Sequence, residues 1–524
     1  MARPAPKHRI AVPGAVLAVG VITAACTSPS MLDVGLTRSG QVAANAVHRQ
    51  SLMVTSLDDD GSAGTLRAAI LESNRHPGRY RIRIAPEGNG PHVIRPVSLL
   101  PAIRSPVIIE GASHAGVIID GSLVLKTVTG ANCPGEEGGD GPNVRSLQKP
   151  GLAIVDTQGV EIANLEIRNF CTGILVLRSS DTNIHDNRFV HQVGGSGVLV
   201  TGDDGNGGAT AGLAVRNRLI RNRFIDNSDG FEFVRGAHHG IARDNIVVAT
   251  AVAEAPSQGA EIFGSNHVEL TGNLFSGYSD GIQAGGDHHR LLGNSITGNT
   301  NGIATSGTGT TIEGNLIAGN RVGVAPTGAM NHVRISRNAI FANGQDILRC
   351  HAGGTGTLPG SPACRPDYPR LGIDLGADGP TRNDLAIDCP DRLPDCDSGV
   401  NGLQNVPILD ASSAWFDGTV TIRGMLPALP GRDYVIELFA SHAAGYAGYG
   451  EGELYLGSIE VHSDSSGNTL FQASFNGIAD PFGDGAPQAF FTATATDRAS
   501  GATSEFSAAL LLRASRAGKE AVAQ

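Results

Sequence analysis

One asparagine returns at a fixed phase through the middle of this chain, within the pattern apolar-x-x-Asn-x-apolar. Most copies lie 21 to 23 residues apart, and two longer turns separate their asparagines by 28 and 35 residues. The asparagines are Asn187, Asn222, Asn245, Asn273, Asn294, Asn315 and Asn338. A repeat of this length with short alternating apolar strands predicts a solenoid, because no single turn can bury its apolar side chains alone.

A stacked solenoid explains why asparagine recurs. Asparagine tolerates the left-handed backbone conformation that a bend requires. Equivalent residues of neighbouring turns lie about 4.8 Å apart, so their side-chain amides can donate and accept along a ladder. We therefore expect one ladder through these asparagines. We expect a second, patchier ladder at Asn227, Asn299, Asn320 and Asn343.

Composition limits the classes of partner. The chain has 524 residues, a net charge of −11 and only four lysines. It forms no basic stripe, which argues against a nucleic-acid partner.

The N-terminus has the pattern of an export signal over residues 1–26. Basic residues precede the apolar run 10–25, and Cys26 follows it directly, so that residues 23–26 read TAAC. This ending resembles a bacterial lipobox and predicts lipidation of Cys26; ordinary cleavage near Ala25 is the alternative. Residues 27–50 would be a tether, and no later segment approaches a membrane span. The mature chain is therefore expected to be secreted, periplasmic or at the cell surface, with a lipid anchor as one possibility.

Six further cysteines fit an exported chain with disulfide bonds. Proximity in sequence favours the pairs Cys350–Cys364 and Cys389–Cys396, which leaves Cys133 with Cys171. Free or buried thiols are the alternative.

The repeats resemble the right-handed parallel β-helix, the pectin-lyase-like fold. Upstream, GTLRAAI at residues 64–70 resembles the CSLREAI segment of bacterial surface β-helix proteins, with Gly64 and Ala68 departing from it. Leu66, Ala69 and Ile70 share one helical face, so a short helix should cap the first turn. The predicted fold is all-β: a helix-capped right-handed parallel β-helix over residues 51–349, followed by an Ig-like β-sandwich.

The C-terminal third departs from the repeat. Residues 350–402 form a junction rich in Cys and Asp, and alternating segments separated by turn signals predict the sandwich over 403–514. Asp395, Asp397 and Asn401 alternate in the junction and offer oxygen ligands of the kind that Ca²⁺ prefers. Calcium is the only cofactor we expect, and a solvated acidic loop is the alternative.

Strand alternation predicts which side chains leave the core. The outward series is Leu175, Leu199, Glu232, Glu261, Gln283, Ala304 and Ala325. Glu232 and Glu261 should therefore stack on adjacent turns, near Asp229 and Asp280. Stacked carboxylates repel each other, which favours a shared proton or a bound cation.

A second polar series runs six residues before the ladder asparagines and includes His239, His267 and His288. We expect these histidines and the two glutamates to be the catalytic candidates, although both series are also ordinary outward or turn positions. Asp229, Asp280, Gln283, Arg235 and Tyr278 are the candidate substrate-binding residues. The two series could also lie on different faces.

The resemblance carries no catalytic motif over, since residues 150–346 lack the lysine that some β-helix lyases use. Three functions compete, in this order. The first is binding of polysaccharide or cell-surface glycan, the second is a polysaccharide lyase, epimerase or hydrolase, and the third is a structural spacer or adhesin.

Overall fold

The computed structural model describes residues 50–78, 80–112, 116–125, 133, 148–206, 208–209, 214–250, 256–328, 332–347 and 370–515. Strands are numbered along the chain. Each turn of the repeat contributes one strand to each of three parallel sheets, and the apolar side chains of all three meet in one interior core. The predicted right-handed parallel β-helix is confirmed.

The first sheet has eleven strands. They are β1 Gln50–Val54, β2 Tyr80–Ile84, β4 Ile108–Gly111, β7 Glu161–Ala163, β10 Asn183–His185, β13 Arg218–Ile220, β16 Ile241–Arg243, β19 Glu269–Thr271, β22 Arg290–Leu292, β25 Thr311–Glu313 and β28 Arg334–Ser336.

The second sheet has ten strands. They are β3 His92–Ile94, β5 Val117–Asp120, β8 Leu165–Arg168, β11 Arg188–Val190, β14 Arg223–Ile225, β17 Ile246–Val248, β20 Leu274–Ser276, β23 Ser295–Thr297, β26 Leu316–Ala318 and β29 Ala339–Phe341.

The third sheet has eight strands. They are β6 Pro150–Val155, β9 Thr172–Leu177, β12 Ser196–Thr201, β15 Asp229–Val234, β18 Gln258–Phe263, β21 Asp280–Ala284, β24 Asn301–Thr305 and β27 Val322–Pro326. Residues 371–373 extend this sheet, because Val324 and Ile373 form a parallel bridge.

The predicted cap is present at the first turn. Helix α1 spans Leu66–Arg75. Thr65 is its N-cap, and the Thr65 side chain accepts a hydrogen bond from the Ala68 N–H. Leu66, Ala69 and Ile70 are buried in the β-helix core, on the helical face that the sequence predicts. The helix therefore covers core that the first turn would otherwise expose. Short 3₁₀ turns occur at Gly121–Leu123, Val400–Leu403 and Tyr446–Gly448.

The asparagines form a continuous ladder between the first and second sheets. Asn294 Oδ1 accepts from the Asn273 N–H at 2.9 Å, while Asn294 Nδ2 donates to the Leu270 carbonyl and to Asn315 Oδ1. Every asparagine of this ladder is at most 2% exposed. Each side chain therefore satisfies backbone groups that the bend leaves without partners.

The predicted backbone role of these asparagines is wrong. The left-handed conformation belongs to the residue before each asparagine, for example Asp186, Arg221 and Gly293. The asparagine is required for its hydrogen bonds, and the preceding position accommodates the bend.

The recurring glycine has a steric cause at the start of the third-sheet strands. A Cβ on Gly230 would lie 2.2 Å from the Gly259 carbonyl oxygen and 2.3 Å from a Val247 methyl group. Neighbouring turns thus approach too closely at this corner for any side chain.

The C-terminal strands form the predicted β-sandwich around a separate apolar core. One layer has β30 Ile408–Leu409, β31 Ala414–Phe416, β32 Thr419–Pro427 and β35 Asn468–Phe475. The other has β33 Asp433–Ser441, β34 Leu454–His462, β36 Gln488–Asp497 and β37 Leu510–Ser515. The strands β31 and β37 pair with each other and join the two layers.

Three buried glutamates connect the sandwich to the last turns of the β-helix and to the junction. Glu451 accepts from the backbone and side chain of Asn343, and Glu437 accepts from Ser336 Oγ and the Arg337 N–H. Glu505 accepts from the N–H groups of Leu375 and Thr381 and from the Thr381 hydroxyl. These carboxylates replace the acceptors that a further turn would supply.

We expect Asn294→Ala to lower the free energy of unfolding by about 2–4 kcal/mol, because buried groups that lose a partner cost about 1–3 kcal/mol each. Urea unfolding followed by circular dichroism measures the change. Asn89→Ala, in an exposed turn, is the matched control. A loss no larger than in this control would contradict the ladder's role.

We expect stability to fall as pH rises towards neutrality, in part because of Glu505. Burial raises the pKa of Glu505 to about 7, and the Asp374 carboxylate adds to the shift. An unfolded glutamate titrates near pH 4.3, so the folded chain holds a proton that the unfolded chain releases between about pH 4.3 and 7. Glu505→Gln should make the urea midpoint less dependent on pH between pH 5 and 8, whereas the exposed Glu87→Gln should leave this dependence unchanged. Equal slopes in both variants would refute this assignment.

Candidate functional site

The outer face of the third sheet is buried, although its side chains point away from the β-helix core. Towards the N-terminal turns it is apolar, with Leu175, Leu199 and Val234 in one buried cluster. Towards the C-terminal turns the small side chains of Ala304 and Ala325 are also buried. Between these two regions, the strands β15, β18 and β21 carry polar side chains.

We call this group the polar patch. It comprises Asp229, Glu232, Gln258, Glu261, Asp280 and Gln283, each at most 8% exposed. Glu232 and Glu261 are direct partners in the pairing register of β15 and β18, and Gln283 follows Glu261 on β21. The sequence therefore predicted the stacking of the two glutamates correctly.

A second column of the polar patch runs beside the glutamates. Asp229 Oδ1 accepts from the Gln258 N–H at 2.8 Å, and Asp280 Oδ1 accepts from Asn301 Nδ2 at 2.7 Å. Gln258 Nε2 donates to Gln283 Oε1 at 3.0 Å, which connects this column to the glutamate column. The aspartates thus order the strands and side chains beside the two glutamates.

Buried carboxylates on adjacent strands are suited to moving protons. The strand spacing of about 4.8 Å lets two carboxyl groups reach neighbouring atoms of one small molecule. Removed from bulk water, such groups interact more strongly with charge that develops on a substrate. The polar patch is therefore the candidate active site.

Arg235 lies at the edge of the polar patch, directly after β15. Its guanidinium contacts Asp203 at 2.8 Å, and its side chain is 16% exposed while that of Asp203 is fully buried. The ion pair ties the glycine-rich insertion that contains Asp203 to the end of the glutamate strand.

Tyr278 does not belong to the site, contrary to the sequence-based expectation. It is fully buried within the β-helix core, and burial raises the pKa of its hydroxyl far above the usual range. The side chain faces the interior because the bend before β21 turns it away from the outer surface.

The histidines predicted to be catalytic lie elsewhere on the turn. His239, His267 and His288 are exposed in the bends that lead from the third sheet to the first. The ring of His267 stacks between those of His239 and His288, with centroid distances of 5.0 and 5.2 Å. All three residues have the left-handed backbone conformation. The structure brings them together with one another, and it does not place them on the sheet face that carries Glu232 and Glu261.

Sequence reasoning missed Gln258, Asn301 and Asp203. Gln258 and Asn301 are register partners of Asp280 on the neighbouring strands. They therefore occupy the same position of the repeat as Asp280, directly before the recurring glycine, and this position could have identified them. Asp203 gives no such signal, because it lies in an insertion outside the repeat.

Two of the predicted disulfide bonds are present. Cys133 bonds Cys171, directly before the third-sheet strand β9, and Cys389 bonds Cys396 in the junction. Cys350, Cys364 and the lipidation candidate Cys26 lie outside the described residues, as do residues 1–49 with the predicted signal and most of the tether.

The junction brings three carboxylates together. Oxygens of Asp384, Asp395 and Asp397 lie within 4.8 Å of one another. Burial raises the pKa of Asp395 to about 7 and that of Asp397 to about 6, and repulsion from Asp384 adds to both shifts. Asn401 is not part of this cluster, because its amide bonds the backbone of Val333 and Thr503.

Family comparisons agree with this architecture. Residues 107–278 match the family described as the right handed beta helix region, and residues 205–358 match the periplasmic copper-binding protein (NosD) family. The chain is 34% identical over 515 residues to the 3-dehydroshikimate dehydratase of Acinetobacter baylyi, a match that covers 92% of this chain and 98% of the relative. The chain belongs to the family of this dehydratase. The alignment spans the dehydratase almost entirely, so it includes both the β-helix and the sandwich.

Solved structures resemble the dehydratase-family chain in fold alone. An alginate lyase from Paenibacillus sp. str. FPU-7 is 11% identical, with a TM-score of 0.37 over 55% of this chain and 95% of the lyase. A double mutant of the periplasmic alginate epimerase AlgG is 13% identical, with a TM-score of 0.29 over 49% of this chain and 70% of the epimerase. Among the described residues, no helix is long and apolar enough to cross a membrane.

Calcium at the junction stays a prediction. If the Asp384, Asp395 and Asp397 cluster binds Ca²⁺, millimolar calcium should raise the melting temperature by about 3 °C at pH 8. The rise should disappear at pH 5, where Asp395 and Asp397 hold protons. Calorimetry with calcium or a chelator, on the wild type and on Asp397→Asn, measures this. A calcium effect that survives in Asp397→Asn would place the ion elsewhere.

Proposed function

We propose that this protein is an exported dehydratase that removes water from a small cyclic hydroxy-keto acid of the 3-dehydroshikimate type. The observation that carries the proposal is the 34% identity to a 3-dehydroshikimate dehydratase over nearly the whole of both chains. The polar patch supports it, because dehydration needs a group that takes a proton and a group that gives one.

The chemistry of such a substrate suits two acids on one face. In 3-dehydroshikimate, one ring carbon carries a hydrogen and lies between the ketone and a second carbon that carries a hydroxyl group. That hydrogen and that hydroxyl lie on the same side of the ring. Glu232 and Glu261 project from the same side of one sheet, on paired strands, so one can take the proton while the other protonates the departing hydroxyl.

The reaction would yield water and a dihydroxybenzoate. Loss of the hydroxyl creates a second ring double bond beside the ketone, and the ketone then shifts to its enol form to complete the aromatic ring. In the first step the carbon–oxygen bond breaks as the hydroxyl takes a proton, and in the second a ring proton moves to the ketone oxygen. Carboxyl groups provide these proton transfers.

Export is part of the proposal. The match to a family described as periplasmic and the signal pattern of residues 1–26 support a periplasmic location. Glycan binding, which the sequence analysis ranked first, stays a prediction, and polysaccharide lyase, epimerase or hydrolase activity does too.

We expect the purified protein to convert 3-dehydroshikimate to the dihydroxybenzoate, followed by ultraviolet absorbance and chromatography. Pectic, alginate and glycosaminoglycan polymers form a parallel arm, with new chain ends and retention as readouts. If the protein turns over a polymer and does not convert 3-dehydroshikimate, the proposed dehydratase function would be replaced by polysaccharide lyase, epimerase or hydrolase activity.

Glu232→Gln and Glu261→Gln should each lower kcat by about 100-fold or more, because each removes a proton-transfer group. His267→Ala should keep wild-type activity, since this histidine lies in an exposed bend. Steady-state kinetics on folded variants provides the measurement. Loss of activity in His267→Ala with none in the glutamate variants would move the site to the histidine stack.

A further inference from the structure

Two glutamines of the polar patch form a pair beside the glutamates. Gln283 is the register partner of Glu261, and Gln258 Nε2 donates to Gln283 Oε1 at 3.0 Å. Gln258 and Gln283 are buried residues, 5% and 8% exposed. The proposed proton transfers between the substrate and the two carboxyl groups leave this amide pair without a role.

The hydrogen bond from Gln258 fixes the orientation of the Gln283 amide. Because Gln283 Oε1 is directed at Gln258, Gln283 Nε2 points away from Gln258. The neighbouring Glu261 carboxylate accepts hydrogen bonds and donates none when ionised, so an NH₂ group on that side avoids opposing two acceptors. Among the described residues, none accepts a hydrogen bond from Gln283 Nε2.

We propose that Gln283 is a catalytic residue whose Nε2 donates to the ketone oxygen of the substrate, and that Gln258 is the positioning residue that holds this amide. The inference rests on the proposed function and adds the group that stabilises the intermediate. In the proposed reaction one carboxyl group takes the ring proton and the other protonates the departing hydroxyl, so neither is assigned to the oxygen on which negative charge develops.

The ketone oxygen is where negative charge develops. When the base takes the ring proton, the electron pair of the broken C–H bond forms a C=C bond, and the carbonyl pair moves onto oxygen as an enolate. Collapse of the enolate restores the carbonyl and expels the neighbouring hydroxyl, which takes a proton from the acid and leaves as water. An N–H donor at this oxygen binds the enolate more strongly than the ketone, and it therefore lowers the barrier.

Two substitutions test the pair without large changes in shape. Gln283→Glu replaces the donor by an acceptor. Gln258→Glu offers an acceptor to Gln283 Nε2 and should reverse the amide, which turns the donor away while Gln283 itself is unchanged. We expect each variant to lower kcat by about 100- to 1000-fold with KM within about threefold of wild type. Gln472→Glu, at an exposed position of the sandwich, is the matched control.

Binding of the product gives a readout that does not depend on turnover. A donor at this position should favour the phenolate form of bound 3,4-dihydroxybenzoate, which its ultraviolet spectrum reports. We expect the phenolate band with wild type and Gln472→Glu, and its loss with Gln283→Glu and Gln258→Glu. Melting temperatures of all variants show which remain folded, and Gln258→Glu tests the proposal even if Gln283→Glu does not fold.

The outcomes separate this inference from the function on which it rests. The role of Gln283 would be overturned if the wild type turns over the substrate and the kcat of Gln283→Glu lies within about threefold of the wild-type value. An unchanged phenolate band in Gln283→Glu would also overturn it. Either result would leave the dehydratase assignment intact. A wild type that binds but does not dehydrate 3-dehydroshikimate would overturn both. Loss of kcat together with loss of the phenolate band would establish the donor.

Discussion

The hydrogen bonds between successive turns are the interaction on which the whole structure depends. Each strand of a turn is only three to six residues long over most of the β-helix, so no turn is stable alone. The asparagine ladder extends the same bonding through the bends, where strand pairing stops. Because every ladder asparagine bonds a neighbouring turn, equivalent residues are held in one column, and this register also aligns the side chains on the outer faces.

The aligned register is what makes a site possible on the third sheet. Glu232, Glu261 and Gln283 come from three different turns, yet the pairing places them in one line. The apolar cluster on one side and the alanines on the other limit the polar patch to a few strands. Every member of the polar patch is at most 8% exposed, and this burial separates the patch from an ordinary polar surface.

The two ends of the β-helix are closed by different means. At the first turns, α1 covers the core with three apolar side chains. At the last turns, Glu437 and Glu451 reach out of the sandwich and accept hydrogen bonds from the final strands and bends, and Glu505 accepts hydrogen bonds from the junction. Burial raises the pKa of all three carboxyl groups, so this closure is electrostatically costly when the groups are ionised. The sandwich is thus part of the folded unit rather than an independent appendage.

The sequence by itself determined the solenoid, its period, the inward and outward alternation, the helical cap and the stacking of Glu232 on Glu261, because each follows from local periodicity. Only the tertiary structure decided that the outer face of the third sheet is buried, that Tyr278 faces the core, and that the histidine stack lies outside the polar patch. It also revealed the Gln258–Gln283 contact and the glutamates that close the last turns. These features depend on contacts between residues distant in sequence and on the direction a bend gives to each side chain, and neither leaves a periodic signal.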